Sequence, residues 1–271
     1  MNTDSFQVIP THFEHFDRFL NGGLPVGKLT FLAGRSAIGV TQFGLSLAAN
    51  IAGSGQYVGF FSQTMLKHLL EKRLQIMEET DVAKCILLDD TLFYYAPDEW
   101  IKHIMDMVQK PYEVKCIVVD DFYVLGRRDC KTAELWKKRS EGIISEETYW
   151  QEYPAARNFD TAGTASFLQN LAKELNIAIL VGCHHNRFIQ SDTTHIPTLK
   201  KLWDSSAIIP FADRILYLYR SDYYRSPSGY YRLDCDKFPD EGYAQIGYLY
   251  PENPQICVFH HDAKHLKFTD R

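Results

Sequence analysis

The chain has 271 residues, of which 45% are hydrophobic, and it carries a formal net charge of −5 at neutral pH. This is the composition of an ordinary globular protein with a sizeable core, and its negative charge excludes a general attraction to nucleic acid. The six cysteines show no C-x-x-C spacing, and no stretch approaches ~20 apolar residues. We therefore expect neither zinc knuckles, nor a disulfide framework, nor a membrane partner, and we predict a cytoplasmic protein.

Apolar runs alternate with amphipathic segments along most of the chain. The pattern predicts strands at 28–34, 57–62, 84–90, 115–122 and 177–186, and helices at 41–55, 66–79, 97–110 and 164–176. Such continuous apolar strands are typical of a parallel sheet that is covered on both faces. After 212–220, more alternating segments predict an antiparallel extension at 230–238, 244–250 and 255–260. The sequence thus predicts one α/β domain over 1–271, with a short lead-in at 1–15.

The stretch AGRSAIGVTQ, at 33–42, has the glycine spacing of a phosphate-binding loop. In the pattern G-x-x-x-x-G-K-[ST], backbone N–H groups cradle phosphates, the lysine reaches the β- and γ-phosphates and the hydroxyl holds Mg²⁺. Gly34, Gly39 and Thr41 stand at matching positions, but Val40 occupies the position of the lysine. The order strand, loop, helix is the context that such a loop needs, but glycine-containing turns between a strand and a helix are common, so a coincidental match is the alternative.

Two further candidate sites follow predicted strands, where open α/β sheets bind their ligands. Asp120 and Asp121 end an apolar strand, and a carboxylate there can hold the Mg²⁺ of a nucleotide. The alternative is a pair of acids solvated at a strand end. His184 and His185 end the strand at 177–186, and no third ligand stands at a usable spacing. We therefore interpret the histidines as polar residues at a sheet edge, and we predict no metal site.

Taken in order, these pieces resemble the C-terminal motor domain of the DnaB-type replicative DNA helicases, a RecA-like P-loop ATPase. The similar blocks run over nearly the whole chain: FDRFLNGGLPVGKLTFLAGRS, FFSQTM, ILLDDTLFYYAPDEW, IVVDDFYVL, LQNLAKELNIAILVGCHHNR, ADRILYLYRSDYY and DKFPDEGYAQIGYLY. The resemblance implies a RecA-like core, with a mostly parallel twisted sheet flanked by helices and a C-terminal antiparallel extension.

The resemblance also places the family's working residues on this chain, and most of them change type. The phosphate-loop lysine falls on Val40, the catalytic glutamate on Thr64 and the polar sensor on His184. The family's basic pair, a lysine and the arginine finger, falls on Cys235 and Lys237. The retained nucleotide-binding positions are Gly34, Arg35, Gly39, Thr41 and the Walker B aspartate, Asp120.

These changes remove a phosphate-binding charge, the group that activates water and the planar fork that an arginine presents to the transition state. We therefore predict that no catalytic residue is functional, that no cofactor is required and that Mg-ATP is bound weakly at most.

The region after the Walker B strand, 126–160, is enlarged, and in the family the corresponding loop faces single-stranded DNA. It mixes basic and aromatic side chains, which suits contact with phosphates and stacking on bases. The candidate DNA contacts are Arg127, Arg128, Lys137, Lys138 and Arg139. The segment also holds seven acids, so a solvated helical insertion is the alternative.

Three functions follow from these observations. The first is a catalytically silenced RecA-like protein that binds an unknown protein partner or single-stranded DNA, in replication or a mobile element. The second is an ATP-dependent 5′-to-3′ DNA helicase with an atypical site. The third is an enzyme that has reused His184, His185 and Asp120 for another reaction.

The assembly of the protein is predicted from the start of the chain. About a dozen residues precede the block that matches the start of the family's motor domain. We therefore expect the helix by which family members dock on their neighbours to be missing, and we predict a monomer or weak oligomer in isolation.

Overall fold

The computed structural model describes residues 7–35, 37–90, 97–109, 111–122, 131–184, 197–202, 205–220, 241–262 and 264–270. Within these residues, nine strands form one sheet, and two short strands, β1 (Val8–Ile9) and β2 (Leu24–Pro25), pair antiparallel beside it.

The main sheet is parallel over most of its width. Its strands are β3 (Leu29–Gly34), β4 (Val58–Ser62), β5 (Ile86–Asp89), β6 (Cys116–Asp120), β7 (Ala178–His184), β8 (Arg214–Tyr219), β9 (Glu241–Tyr250), β10 (Ile256–Asp262) and β11 (Lys267–Asp270). They lie in the order β11-β10-β9-β8-β3-β7-β6-β4-β5. The strands from β8 to β5 run parallel, and β9, β10 and β11 add antiparallel neighbours at one edge.

Helices cover both faces of this sheet. They are α1 (Glu14–Phe19), α2 (Val40–Gly53), α3 (Lys67–Ile76), α4 (Pro97–Val108), α5 (Lys131–Ser140), α6 (Glu146–Leu175) and α7 (Ser205–Ile208). On one face, an aromatic cluster that includes Phe16, Phe43 and Phe259 packs the sheet against α1 and α2. On the other face, Leu168 of α6 and Ile117 of β6 belong to a second core. Since every residue of β3, β4 and β6 is buried, their sequences are apolar without alternation.

The predicted fold class, a mostly parallel sheet with a C-terminal antiparallel extension, is confirmed. The sequence did not reveal β1, β2, α1, α7 or β11, which are short, and the strand predicted at 230–238 lies outside the described residues. The single domain over 1–271 and the lead-in at 1–15 stay predictions. No described helix has the length and apolar character that a membrane crossing requires.

The helix predicted at 164–176 is the second half of a longer one. α6 has 30 residues, begins after Ser145, whose Oγ accepts a hydrogen bond from the Thr148 N–H at 3.0 Å, and continues through Pro154. The apolar pattern did not predict the first half of α6. Before residue 160 this helix buries only Tyr149, and an exposed helix shows little apolar periodicity.

Candidate nucleotide-binding site

The loop between β3 and α2 has the backbone of a tight strand-to-helix turn. Gly39 precedes α2 with φ of 115°, a conformation that favours glycine because a side chain would be strained there. A Cβ added at Gly39 would also lie 3.2 Å from Cζ of Phe268, a fully buried ring of β11. Both the turn and the close approach of this ring therefore require glycine at position 39.

Val40, the first residue of α2, presents apolar surface to the sheet. Its side chain is 7% exposed and packs against two glycines of the sheet. A Cβ added at Gly34 would lie 2.5 Å from Val40 Cγ2, and one added at Gly182 would lie 3.0 Å from Val40 Cγ1. A cavity of about 10 Å³ beside Val40, Thr41 and Asp120 has room for one water molecule. The first turn of α2 is thus packed onto the sheet.

The carboxylate of Asp120, at the end of β6, is 3% exposed and is held by three hydroxyl groups. Thr41 Oγ1 lies 2.9 Å from Oδ1 and 3.0 Å from Oδ2, so its single proton is shared between the two oxygens. Ser62 Oγ and Thr64 Oγ1 donate to Oδ2 at 3.0 Å and 2.7 Å. Side chains from α2, from β4 and from the turn after β4 therefore converge on one acid.

Two backbone N–H groups fix the turn after β4, one of them by a hydrogen bond to Asp120. The Gln63 N–H donates to the Asp120 carbonyl oxygen at 2.6 Å, and the Met65 N–H donates to Ser62 Oγ at 3.1 Å. β4 and β6 are adjacent parallel strands with Ser62 opposite Asp120, so the segment SQTM leaves the sheet beside the acid.

Burial raises the pKa of Asp120 above its ordinary value, and the negative charge of Asp121 raises it further. The hydrogen bonds from Thr64, Thr41 and Ser62 favour the charged form and oppose this effect, but the pKa remains raised. The ionised carboxylate is therefore held at an energetic cost, which a cation beside it would reduce.

The other predicted site residues are only partly described. Arg35 begins the loop, and its carbonyl oxygen accepts a hydrogen bond from Ile38 N–H at 3.2 Å. His184 ends β7 in register with Gly34, but its side chain is outside the described residues. The predicted positions that lie wholly outside them are His185, Arg127, Arg128, Cys235 and Lys237. The described part of the chain contains no group of three or more His, Cys, Asp or Glu side chains that could hold a metal ion.

Three candidate DNA contacts, Lys137, Lys138 and Arg139, lie in the last turn of α5. Arg139 Nε is 2.7 Å from a carboxylate oxygen of Glu146, and Lys137 Nζ is 3.9 Å from one of Glu141. Acids of the same helical pair therefore partly neutralise this basic turn. Contact with DNA stays a prediction.

The C-terminal strand supports the loop, a contact that the sequence patterns did not reveal. The Phe268 N–H donates to Ser46 Oγ at 3.1 Å, and the Gln42 side chain donates to the Leu266 carbonyl oxygen. Gln42 and Ser46 are buried polar residues of an otherwise apolar helix. Because buried polar side chains are almost always hydrogen-bonded, such residues in a sequence indicate a contact with another part of the chain.

Comparison with known families identifies this architecture. A family model, the DnaB-like helicase C terminal domain, matches residues 8–238. The chain belongs to this family. Two curated relatives of this DnaB-like domain are the replicative DNA helicase DnaB of Geobacillus stearothermophilus and DnaC of Bacillus subtilis. The first is 25% identical over 229 residues, which are 81% of this chain and 49% of the relative. The second is 24% identical over 224 residues, which are 80% of this chain and 48% of the relative.

The DnaB-like chain thus spans about half the length of these relatives. It is also similar to the solved structure of a DnaB-like replicative helicase, a structure described together with that helicase's interactions with primase. The TM-score is 0.74 and the identity 16%, over 98% of this chain and 62% of that one. A second solved structure, of an isolated ATPase domain, gives a TM-score of 0.72 and 17% identity over 99% of this chain and 93% of that one. These likenesses confirm the RecA-like fold.

Proposed function

We propose that this DnaB-like domain is a binding or regulatory protein that does not hydrolyse ATP and is linked to DNA replication or to mobile elements. The observation that carries the proposal is the packing of Val40 against Gly34 and Gly182, at the position where the family has its phosphate-binding lysine. An apolar side chain there supplies no charge to a triphosphate, and its packing leaves little room for another cation to take its place.

Thr64 supports the same conclusion. It stands where the family has its catalytic glutamate, and its hydroxyl donates to Asp120 at 2.7 Å. A hydroxyl in that hydrogen bond is a poor base for the attacking water. Lys237, at the position of the arginine finger, lacks the planar fork whose contribution is about 10³–10⁵-fold in rate in this chemistry.

A second function, an ATP-dependent 5′-to-3′ DNA helicase, is favoured by one observation. Thr41 and Asp120 keep the arrangement of a hydroxyl and a carboxylate that can share a Mg²⁺ ion, and the curated relatives are named replicative DNA helicases. The third function, an enzyme that has reused His184, His185 and Asp120 for another reaction, stays a prediction, because His185 and the His184 side chain lie outside the described residues.

Calorimetric titration with Mg-ATP separates the first two functions. We expect no saturation below ~1 mM nucleotide and no steady release of phosphate, with or without single-stranded DNA. Micromolar affinity, or phosphate release that is abolished in Asp120→Asn, would favour the helicase. The partner under the proposed function is an unknown protein, and single-stranded DNA at Lys137, Lys138 and Arg139 is the second candidate.

A further inference from the structure

Residues 131–160 form a helical arm that has almost no core of its own. α5 packs against the first half of α6, and within the arm only Leu135 and Tyr149 are buried. Two short helices that bury so little apolar surface gain little stability from packing. The arm therefore has apolar side chains left for another surface.

Four large apolar side chains of the arm are exposed. Trp136 is 60% exposed, Ile143 65%, Trp150 57% and Phe159 58%. Trp136 and Arg139 are three residues apart on α5 and so lie on the same side of that helix. The Arg139 guanidinium carbon lies 5.8 Å from the centre of the Trp150 ring. The helical spacing and this one contact place the two tryptophans on one face of the helical pair.

The Trp150 ring and the Arg139 side chain of this face are held in place within one copy. Trp150 Nε1 donates to Glu146 Oε1 at 2.8 Å, and Glu146 also pairs with Arg139 at 2.7 Å. Arg139 in turn stacks on Tyr149, with 4.7 Å between the guanidinium carbon and the ring centre. Ordered tryptophan and arginine side chains lose little conformational entropy on association, and they are the residues that dominate binding at protein interfaces.

The charge of the arm favours a protein over a nucleic acid. Residues 131–160 carry five basic and six acidic side chains, so the arm is close to neutral. Binding to nucleic acid rests on an excess of positive charge, which the described arm lacks. A nearly neutral surface with both signs is complementary to itself instead. Lys137 of α5 and Glu147 of α6 are both exposed and opposite in charge.

We propose that a second copy of this chain covers the face, so that α5 of one copy lies against α6 of the other in an antiparallel four-helix bundle. A two-fold axis along the arm produces this arrangement. By symmetry it forms two equivalent pairs of Lys137 with Glu147 of the other copy, and it brings the tryptophans together at the centre. The inference goes beyond the proposed function and does not depend on whether nucleotide is bound.

The size of the face sets the expected strength. α5 has 10 residues and the first half of α6 about 15, so at ~1.5 Å per residue and ~10 Å in width they present roughly 375 Å² per copy, or ~750 Å² in total. This is below the ~1,200–2,000 Å² of a standard stable interface, so we expect a dimer with a dissociation constant in the micromolar range.

Sedimentation analysis of the full chain from ~1 to ~500 μM tests the proposal. We expect reversible conversion of the 31.3 kDa chain into a species of twice that mass. Replacing Trp136 and Trp150 together by alanine is expected to weaken the dimer at least ~10-fold. Ile256→Ala, which removes an apolar side chain that is 52% exposed on β10, is the matched control and should leave the dimer unchanged.

Charge reversal tests the pairing of the helices. Lys137→Glu and Glu147→Lys should each weaken the homodimer, and mixing the two variants should restore a dimer of one copy of each. Lys173→Glu, at the far end of α6, is the control for a change of charge alone.

Three results would overturn the proposal. They are a monomer at every concentration, association that survives loss of both tryptophans, and quenching of their fluorescence by a dT oligonucleotide that competes with self-association. The last result would assign the face to nucleic acid.

Discussion

Thr41 and Asp120 stand 79 positions apart in the chain, and the Thr41 hydroxyl donates to the Asp120 carboxylate with Oγ1 2.9 Å from Oδ1. This contact joins the first turn of α2 to the end of β6, although β7 lies between β3 and β6 in the sheet. A hydroxyl and a carboxylate thus meet at one edge of the sheet, and the apolar side chain of Val40 lies beside them.

Replacing Val40 by lysine is expected to raise the affinity for Mg-ATP at least ~10-fold without producing turnover. The ammonium group would restore a counter-charge to the phosphates, but position 64 would still lack a carboxylate. Calorimetric titration and a phosphate-release assay measure the two effects. Val40→Met, which is long and uncharged, is the control. Equal affinities of the two variants would show that the loop cannot hold a triphosphate even with its lysine.

Replacing Thr64 by valine should lower the free energy of unfolding at neutral pH by about 1 kcal/mol. The variant removes the hydrogen bond to Asp120 Oδ2, and the effect is kept small because Thr64 is exposed and water can take its place. Urea denaturation measures the change, and Thr64→Ser, which keeps the hydroxyl, should retain the stability of the parent chain. A serine variant that loses as much as the valine variant would contradict the role of the hydrogen bond.

The stability of Asp120→Asn relative to the parent chain should depend on pH. Because the folded-state pKa of Asp120 is raised above 3.8, the favourable contribution of the protonated acid is present below that value. It is lost as the pH rises through the folded-state pKa. Asparagine does not ionise, so its relative stability should increase from about pH 4 upward and then become constant. Denaturation curves across this range measure it, and a difference that is independent of pH would refute the raised pKa.

Replacing Phe268 by alanine should lower the free energy of unfolding by about 3–5 kcal/mol. The ring is fully buried, with its centre 5.5 Å from that of Phe43, and it lies against Gly39. The loop should loosen as well, which faster hydrogen exchange of the amides in the first turn of α2 would reveal. Phe268→Leu fills most of the volume and serves as the control. Unchanged exchange in the alanine variant would show that β11 does not support the loop.

Local patterns explain how much of this fold the sequence revealed. Apolar runs such as those around Phe31 and Val118 mark strands that are buried on both faces, and the glycines at 34 and 39 mark the turn that joins β3 to α2. The sequence left the structure of residues 131–160 open, because a segment with only two buried side chains shows no apolar periodicity.

By itself, the sequence predicted the order of the longer strands and helices, the glycine loop between β3 and α2, and an acid at the end of a strand, because each of these depends on neighbouring residues. Only the tertiary structure decided that Ser62 and Thr64 join Thr41 on Asp120, and that Phe268 lies against Gly39. These contacts join residues that are 56 or more positions apart, and they form only because the strand order and the packing of the core bring the ends of separate elements together.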